Sequence, residues 1–215
     1  MRDARSKGVP QLGSGAIYPI EESFITVPDM EIPSHWARAF ALDASPLRKA
    51  SIHAAHDRES GVIYIYAVWK RERVEPAVHA EAIKALGDWI PGVGDASGMV
   101  ADSDRRRYID VYRTMGLDLE LATKGVESGI QRTWVALSQG GLKVFESCRQ
   151  WFDEFRLYRR DEQGRIVKDF DDLMDCTQYM VTSGVKRMVT EPAIPLPNEE
   201  EFPYRDYHGH GTWMR

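Results

Sequence analysis

Gly61-Val62-Ile63-Tyr64-Ile65-Tyr66-Ala67-Val68-Trp69-Lys70 is the stretch whose reading decides the fold. β-Branched and aromatic residues fill it from end to end, the composition of a strand in a packed sheet. Working outward, residues 48–56 read as a second strand. Arg38-Ala39-Phe40-Ala41-Leu42-Asp43 reads as a third, buried and ending on an acid. Asp57-Arg58-Glu59-Ser60 supplies the polar connection between the later two. Three consecutive strands with short links imply an antiparallel meander.

Beyond residue 75 the pattern changes. Residues 76–86 have helical spacing, with Pro76 at the start and Gly87 at the stop. A short strand is expected at 89–93, a helix at 102–115, a strand at 117–122 and a helix at 126–138. A strand at 142–145 and helices at 148–158 and 171–182 follow, with a turn at Asp161-Glu162-Gln163-Gly164. A meander followed by alternating helices and strands predicts an α/β fold, a mixed sheet with helices on both faces. Residues 1–35, rich in Gly and Pro, read as a linker or extended arm with one short strand near 23–27. Residues 36–190 form the domain, and 191–215 read as a flexible C-terminal tail.

Composition sets bounds. With 215 residues, one domain with tails is the default, and 43% hydrophobic content suffices for a core. The net charge of -5 argues against coating nucleic acid through bulk charge. It leaves room for carboxylates that hold cations, because bound ions reverse the local field. Cys148 and Cys176 form no ligand cluster with His, and two thiols without a signal peptide suggest a reducing cytoplasm. No apolar run approaches the roughly 20 residues of a membrane span. No G-x-x-x-x-G-K-[ST] phosphate loop is present.

The chemistry-bearing residues are acids. Asp43 closes a strand, Asp95 follows Ile90-Pro91-Gly92-Val93-Gly94, and Asp171-Asp172-Leu173-Met174-Asp175 opens the last helix. Two strand ends and a helix can deliver carboxylates to one place, where two cations about 4 Å apart activate water and stabilise a leaving oxygen. Hard cations such as Mg²⁺ take oxygen ligands. Taken singly, Asp43 is a turn-starting Asp and Asp95 an ordinary loop Asp. Asp171 and Asp175 share a helix face, as do Asp172 and Asp175, and like charges at those spacings cost roughly 0.2–0.5 kcal/mol per pair. Asp169, Asp171 or Asp172 suits a helix cap. Asp175 lies deeper, where Asp is a poor helix former, so a metal role outweighs a structural one there; for Asp172 the balance is reversed.

Other signals are slighter. His53 and His56 fall on opposite faces of a strand. His208 and His210 lie in the tail, and Arg105-Arg106-Arg107 reads as a solvated helix start. Lys143, Arg149, Arg156, Arg159, Arg160 and Lys168 are the candidates for phosphate contact, although a charged face meeting only water fits Arg149 to Lys168 equally well. Tyr64, Tyr66 and Trp69 read as core.

Several of these stretches together resemble the nuclease half of the large terminase subunit of tailed bacteriophages. They are Gly61 to Tyr66, Glu75-Pro76-Ala77-Val78-His79-Ala80-Glu81-Ala82-Ile83, Trp89 to Asp95, Gly141-Leu142-Lys143-Val144-Phe145 and Glu154-Phe155-Arg156-Leu157-Tyr158-Arg159-Arg160-Asp161. Asp171-Asp172-Leu173-Met174-Asp175-Cys176-Thr177-Gln178-Tyr179 is similar to the family's Asp-His-x-x-Asp-Ala-x-Arg-Tyr helix, and Gly13 to Pro19 is similar to its opening. The likeness covers most of residues 10–185. It implies a ribonuclease-H-like fold and a Mg²⁺- or Mn²⁺-dependent endonuclease that uses two ions to cut concatemeric viral double-stranded DNA during packaging. Asp43, Asp95 and Asp175 become the metal-binding, catalytic acids, and Asp172 stands where relatives have His, open to service as an extra ligand. Cys176 and Gln178 replace the usual Ala and Arg.

The implied partners are DNA, the small terminase subunit, the portal, and an ATPase half absent from this chain, which reads as an excised domain. The implied location is the host cytoplasm, outside the mature virion, with no membrane. Two rivals stand beside this reading. One is a non-catalytic docking or DNA-binding module of the packaging motor. The other is a different ribonuclease-H-like nuclease of resolvase or transposase type.

Overall fold

The computed structural model describes residues 15–95, 98, 107–123 and 125–192. A one-turn helix, α1 (Glu22–Ile25), leads into β1 (Thr26–Val27). The meander comprises β2 (Ala37–Ala44), β3 (Arg48–Asp57) and β4 (Val62–Glu72). Then come α2 (Pro76–Lys84), β5 (Gly92–Asp95), α3 (Tyr108–Thr114), β6 (Leu119–Leu121) and α4 (Val126–Ser138). The chain continues through β7 (Leu142–Phe145), α5 (Arg149–Leu157) and α6 (Asp172–Thr182) to a 3₁₀ turn at Gly184–Arg187.

Seven strands make one sheet in the order β1-β7-β4-β3-β2-β5-β6. The meander pairs antiparallel, and β5, β6, β7 and β1 join it in parallel. This is the expected mixed sheet, with α4, α5 and α6 contributing to the core on one face and α2 and α3 to that on the other.

Strand β2 shows how one sequence serves both faces. Ala37, Ala39 and Ala41 point to the α4–α6 side, and Phe40, Leu42 and Ala44 to the α2–α3 side. Small residues on one face let a helix lie close, and α6 takes that place, packing across β2, β3 and β5. Helix α5 backs it. Trp151, fully buried, donates its indole N–H to Thr177 Oγ1 at 2.8 Å and stacks on Phe155 with centroids 5.1 Å apart. Rings of this size carry much of a core's burial energy, and the indole bond fixes the α5–α6 register.

Three expectations need adjusting. Residues 15–35 are more than an arm: Tyr18 and Ile25 are fully buried, and β1 extends the sheet beside β7. The short strand expected at 89–93 begins instead at Gly92, because Gly87 at φ +139° and the Ile90 N–H bond back to the Gly87 carbonyl turn the chain first. Asp95 therefore ends β5 rather than following it in a loop. Helix α6 takes no side-chain cap from Asp171, and none is formed by Asp169 or Asp172. Residues 102–106, 193–215, His208, His210, Gly13 and Ser14 lie outside the described residues. Cys148 and Cys176 are free and buried, and among the described residues no helix is long and apolar enough to cross a membrane.

Strand β5 is pressed against β2. A Cβ at Gly94 would stand 2.1 Å from the Leu42 carbonyl oxygen. Gly94→Ala should cost about 1–3 kcal/mol, the usual range for overpacking. Urea denaturation checks this, and a parental midpoint would contradict so close a contact.

Candidate active site

Register builds the site. Asp43 on β2 stands directly opposite Asp95 on the parallel β5. Directly opposite residues point to the same side of a sheet. Asp43 follows the parity of Ala39 and Ala41, and Asp95 that of Val93, so both face α6. Asp175 lies in the first turn of α6, above these strands. The two strand ends and the helix thus bring the three predicted acids to one end of the sheet.

Their electrostatics record the crowding. Burial, followed by the charges of Asp175, Asp172, Asp95 and Asp171, pushes Asp43 up to about 8. Burial also raises Asp175, to about 6; Lys168 opposes the rise, and Asp171 and Asp172 add to it. Carboxylates held this way resist ionising together, and a bound cation is the ordinary remedy. The donor chemistry therefore suits a hard divalent ion. Among the described residues, no group of three or more His, Cys, Asp or Glu side chains is placed so as to hold a metal ion. Asp175 is turned instead toward protein partners. Gln178 Nε2 donates to its Oδ1 at 3.2 Å, and Lys168 Nζ lies 3.4 Å from its Oδ2 and 2.8 Å from Asp171.

Asp172 has different company. It is buried, with Lys70 Nζ 2.7 Å and Arg48 3.3 Å from its carboxylate. Beside the acids a cleft of about 120 Å³ runs between β5, β6, α4 and α6. Asp95 and Asp175 stand with Leu121, Val126, Gly129 and Tyr179 along its walls.

The basic candidates are dispersed. Lys168 is at the acids. Arg160 pairs with Glu127 at 2.7 Å, Arg156 with Glu22 at 2.6 Å and Asp153 at 2.9 Å, and Lys143 donates to the Phe24 carbonyl. Arg149 borders a separate hollow with Glu22 and Glu146, and Arg159 makes a backbone bridge to Ala16. Sequence reading missed Gln178 as a partner of Asp175, although its i+3 spacing on the helix was a usable signal. It also missed Lys70 and Glu154, whose roles depend on cross-strand register.

A family model for the terminase ribonuclease-H-like domain matches residues 49–183. This chain belongs to that terminase family. The large terminase subunit of Salmonella phage P22 is 32% identical over 215 residues, covering 94% of this chain and 42% of that protein. The chain thus spans less than half the length of that terminase relative. The solved nuclease domain of the P22 large terminase superposes with a TM-score of 0.75 at 30% identity, over 84% of this chain and 97% of that one. The large terminase nuclease of thermophilic phage G20c, solved with bound magnesium, shares the fold at a TM-score of 0.58 and 15% identity, over 80% of this chain and 98% of that one.

A pH dependence follows from the raised acids. Between the ordinary 3.8 and about 8, Asp43 holds a proton in the folded protein that it loses on unfolding. Stability contributed this way is complete at low pH and is lost as pH rises through the folded value. In EDTA the melting temperature should fall from about pH 7 to about pH 8, above the range in which the buried neutral imidazoles of His53 and His79 act in the opposite sense, and Asp43→Asn should remove most of the decline. Thermal denaturation across that range checks this. An Asp43→Asn protein with the parental slope would contradict it.

Proposed function

We propose that this terminase domain is a divalent-metal-dependent DNA endonuclease that cuts concatemeric viral double-stranded DNA during packaging. The observation that carries the reading is the placement of Asp43 opposite Asp95 beneath Asp175, with Asp43 pushed up by burial and by neighbouring carboxylates. Asp43, Asp95 and Asp175 would hold Mg²⁺ or Mn²⁺, two ions in all. When bound, such ions activate water and stabilise the charge that develops on the leaving oxygen of a phosphodiester. The solved G20c nuclease with bound magnesium supports the choice of cation by likeness of fold.

The chain's own residues supply the rest. Lys168 offsets the charge of Asp171 and Asp175 until a stronger cation enters, and its exposed ammonium is then free for a DNA phosphate. Arg149, Arg156, Arg159, Arg160 and Lys143 hold the backbone without reading bases. The ATPase half, the small terminase subunit and the portal are the partners, and the host cytoplasm is the place of action.

One observation favours a second reading, that of a docking module. Lys143, Arg156 and Arg160 are engaged within the protein, and Asp175 already faces Lys168.

Supercoiled plasmid incubated with the protein separates the two readings. Nicking and linearisation are expected with Mg²⁺ or Mn²⁺ and absent in EDTA. Asp43→Asn and Asp175→Asn, checked for folding, should each lower the rate by about 100-fold or more, since losing even an outer-shell partner of a metal typically costs 10–100-fold. A folded parent that binds DNA yet never cuts would favour the docking module.

A further inference from the structure

One row of residues crosses four strands. Asp95 pairs with Asp43, Asp43 with Ala50, and Ala50 with Lys70. All four point to the α6 side. The acids occupy one end of the row and a lysine the other, and the alanine between them leaves room for the helix. Cys176 Sγ in the first turns of α6 lies 3.6 Å from the Ala50 carbonyl, so the helix does sit over this gap.

Lys70 grips the start of that helix. Its Nζ lies 2.7 Å from Asp172, the first residue of α6, and 2.5 Å from Glu154 on α5. Glu154 is 3% exposed, and its other oxygen accepts the Leu173 N–H at 2.7 Å. That amide is one of the orphan donors of a helix start. A carboxylate from another helix therefore caps α6, in place of any local side chain. Phe170, at φ +60°, brings the chain into the helix, and its ring centroid lies 5.6 Å from the same ammonium. A backbone held there without glycine is maintained by its surroundings. Arg48 adds a second cation to Asp172 at 3.3 Å.

We infer that Lys70, with Glu154 and Asp172, is a positioning clamp that sets the height and rotation of α6, and so places Asp175 over Asp43 and Asp95. Asp172 then serves the helix rather than the metal. This rests on the metal-nuclease reading above. The clamp explains why the carboxylates of Glu154 and Asp172 are buried beside Lys70: a buried ion network costs desolvation, and its return is a fixed geometry. Outer-shell partners of metal ligands act in this way, and their loss typically lowers metal affinity 10–100-fold.

The test titrates Mn²⁺ against the intact protein and follows two signals, the rise in melting temperature and plasmid nicking. Lys70→Met, folded by circular dichroism, should need at least ~10-fold more Mn²⁺ for half of each signal. Lys70→Arg, which keeps the charge, should recover most of the loss. Should Lys70→Met fail to fold, Asp172→Asn is the substitute and should shift both titrations in the same direction. Parental Mn²⁺ dependence in a folded Lys70→Met protein overturns the clamp. So does a shift in Asp172→Asn without one in Lys70→Met, which would return Asp172 to the ligands. A parent that neither melts higher nor cuts with Mn²⁺ overturns the underlying reading instead, and the clamp with it.

Discussion

Mutual repulsion of carboxylates at the end of one sheet is the constraint on which the rest of this structure depends. Asp43 and Asp95 face each other across β2 and β5, and α6 adds Asp175, Asp172 and Asp171. Left to themselves, such groups would open the site. The fold restrains them with cations of its own. Lys168 lies against Asp171 and Asp175, and Lys70 and Arg48 lie against Asp172. Lysine and arginine thus hold Asp171, Asp172 and Asp175, while burial and the neighbouring carboxylates disfavour Asp43 as an anion. Asp43 is the group raised to about 8, by burial first and then by the charges of Asp175, Asp172, Asp95 and Asp171.

The packing that creates this tension is simple. Alternation along β2 puts alanines under α6 and Phe40 and Leu42 under α2 and α3. The bulky face anchors the sheet, and the small face admits a helix close enough to carry side chains to the strand ends. Trp151 and Thr177 hold α6 to α5, and Glu154 caps its start. Two contacts from α5 thus fix one helix. A displacement of about 1 Å in such a site is costly when the reaction depends on near-attack geometry.

Much of the architecture was legible in the residues themselves. The β-branched and aromatic run at Gly61 to Lys70 and the buried stretch at Arg38 to Asp43 gave the meander. Helix α4 and strand β7 fall where Gly140-Gly141 and the surrounding periodicity put them. The three acids were legible as a set because each ends a strand or departs from helix propensity. Other features depend on distance in space. Sequence spacing cannot show that Lys70 lies in the row of Asp43, since that follows from β-pair register across two hairpins and a bulge at His53 and Ala54. The capping of α6 by a residue 19 positions earlier was equally hidden, because Asp171 and Asp172 offered a local cap by composition. The phosphate-contact residues were the weakest inference. Charge along a segment does not reveal that Arg156 reaches Glu22 or that Arg160 reaches Glu127.

The most direct test of the central claim is a crystal of this protein soaked in Mn²⁺ and measured for anomalous scattering. Two manganese peaks among Asp43, Asp95 and Asp175, with Lys168 withdrawn from Asp175 and Lys70 still on Asp172, are the predicted result. Manganese bound elsewhere, or none at a concentration that supports cleavage, would contradict it.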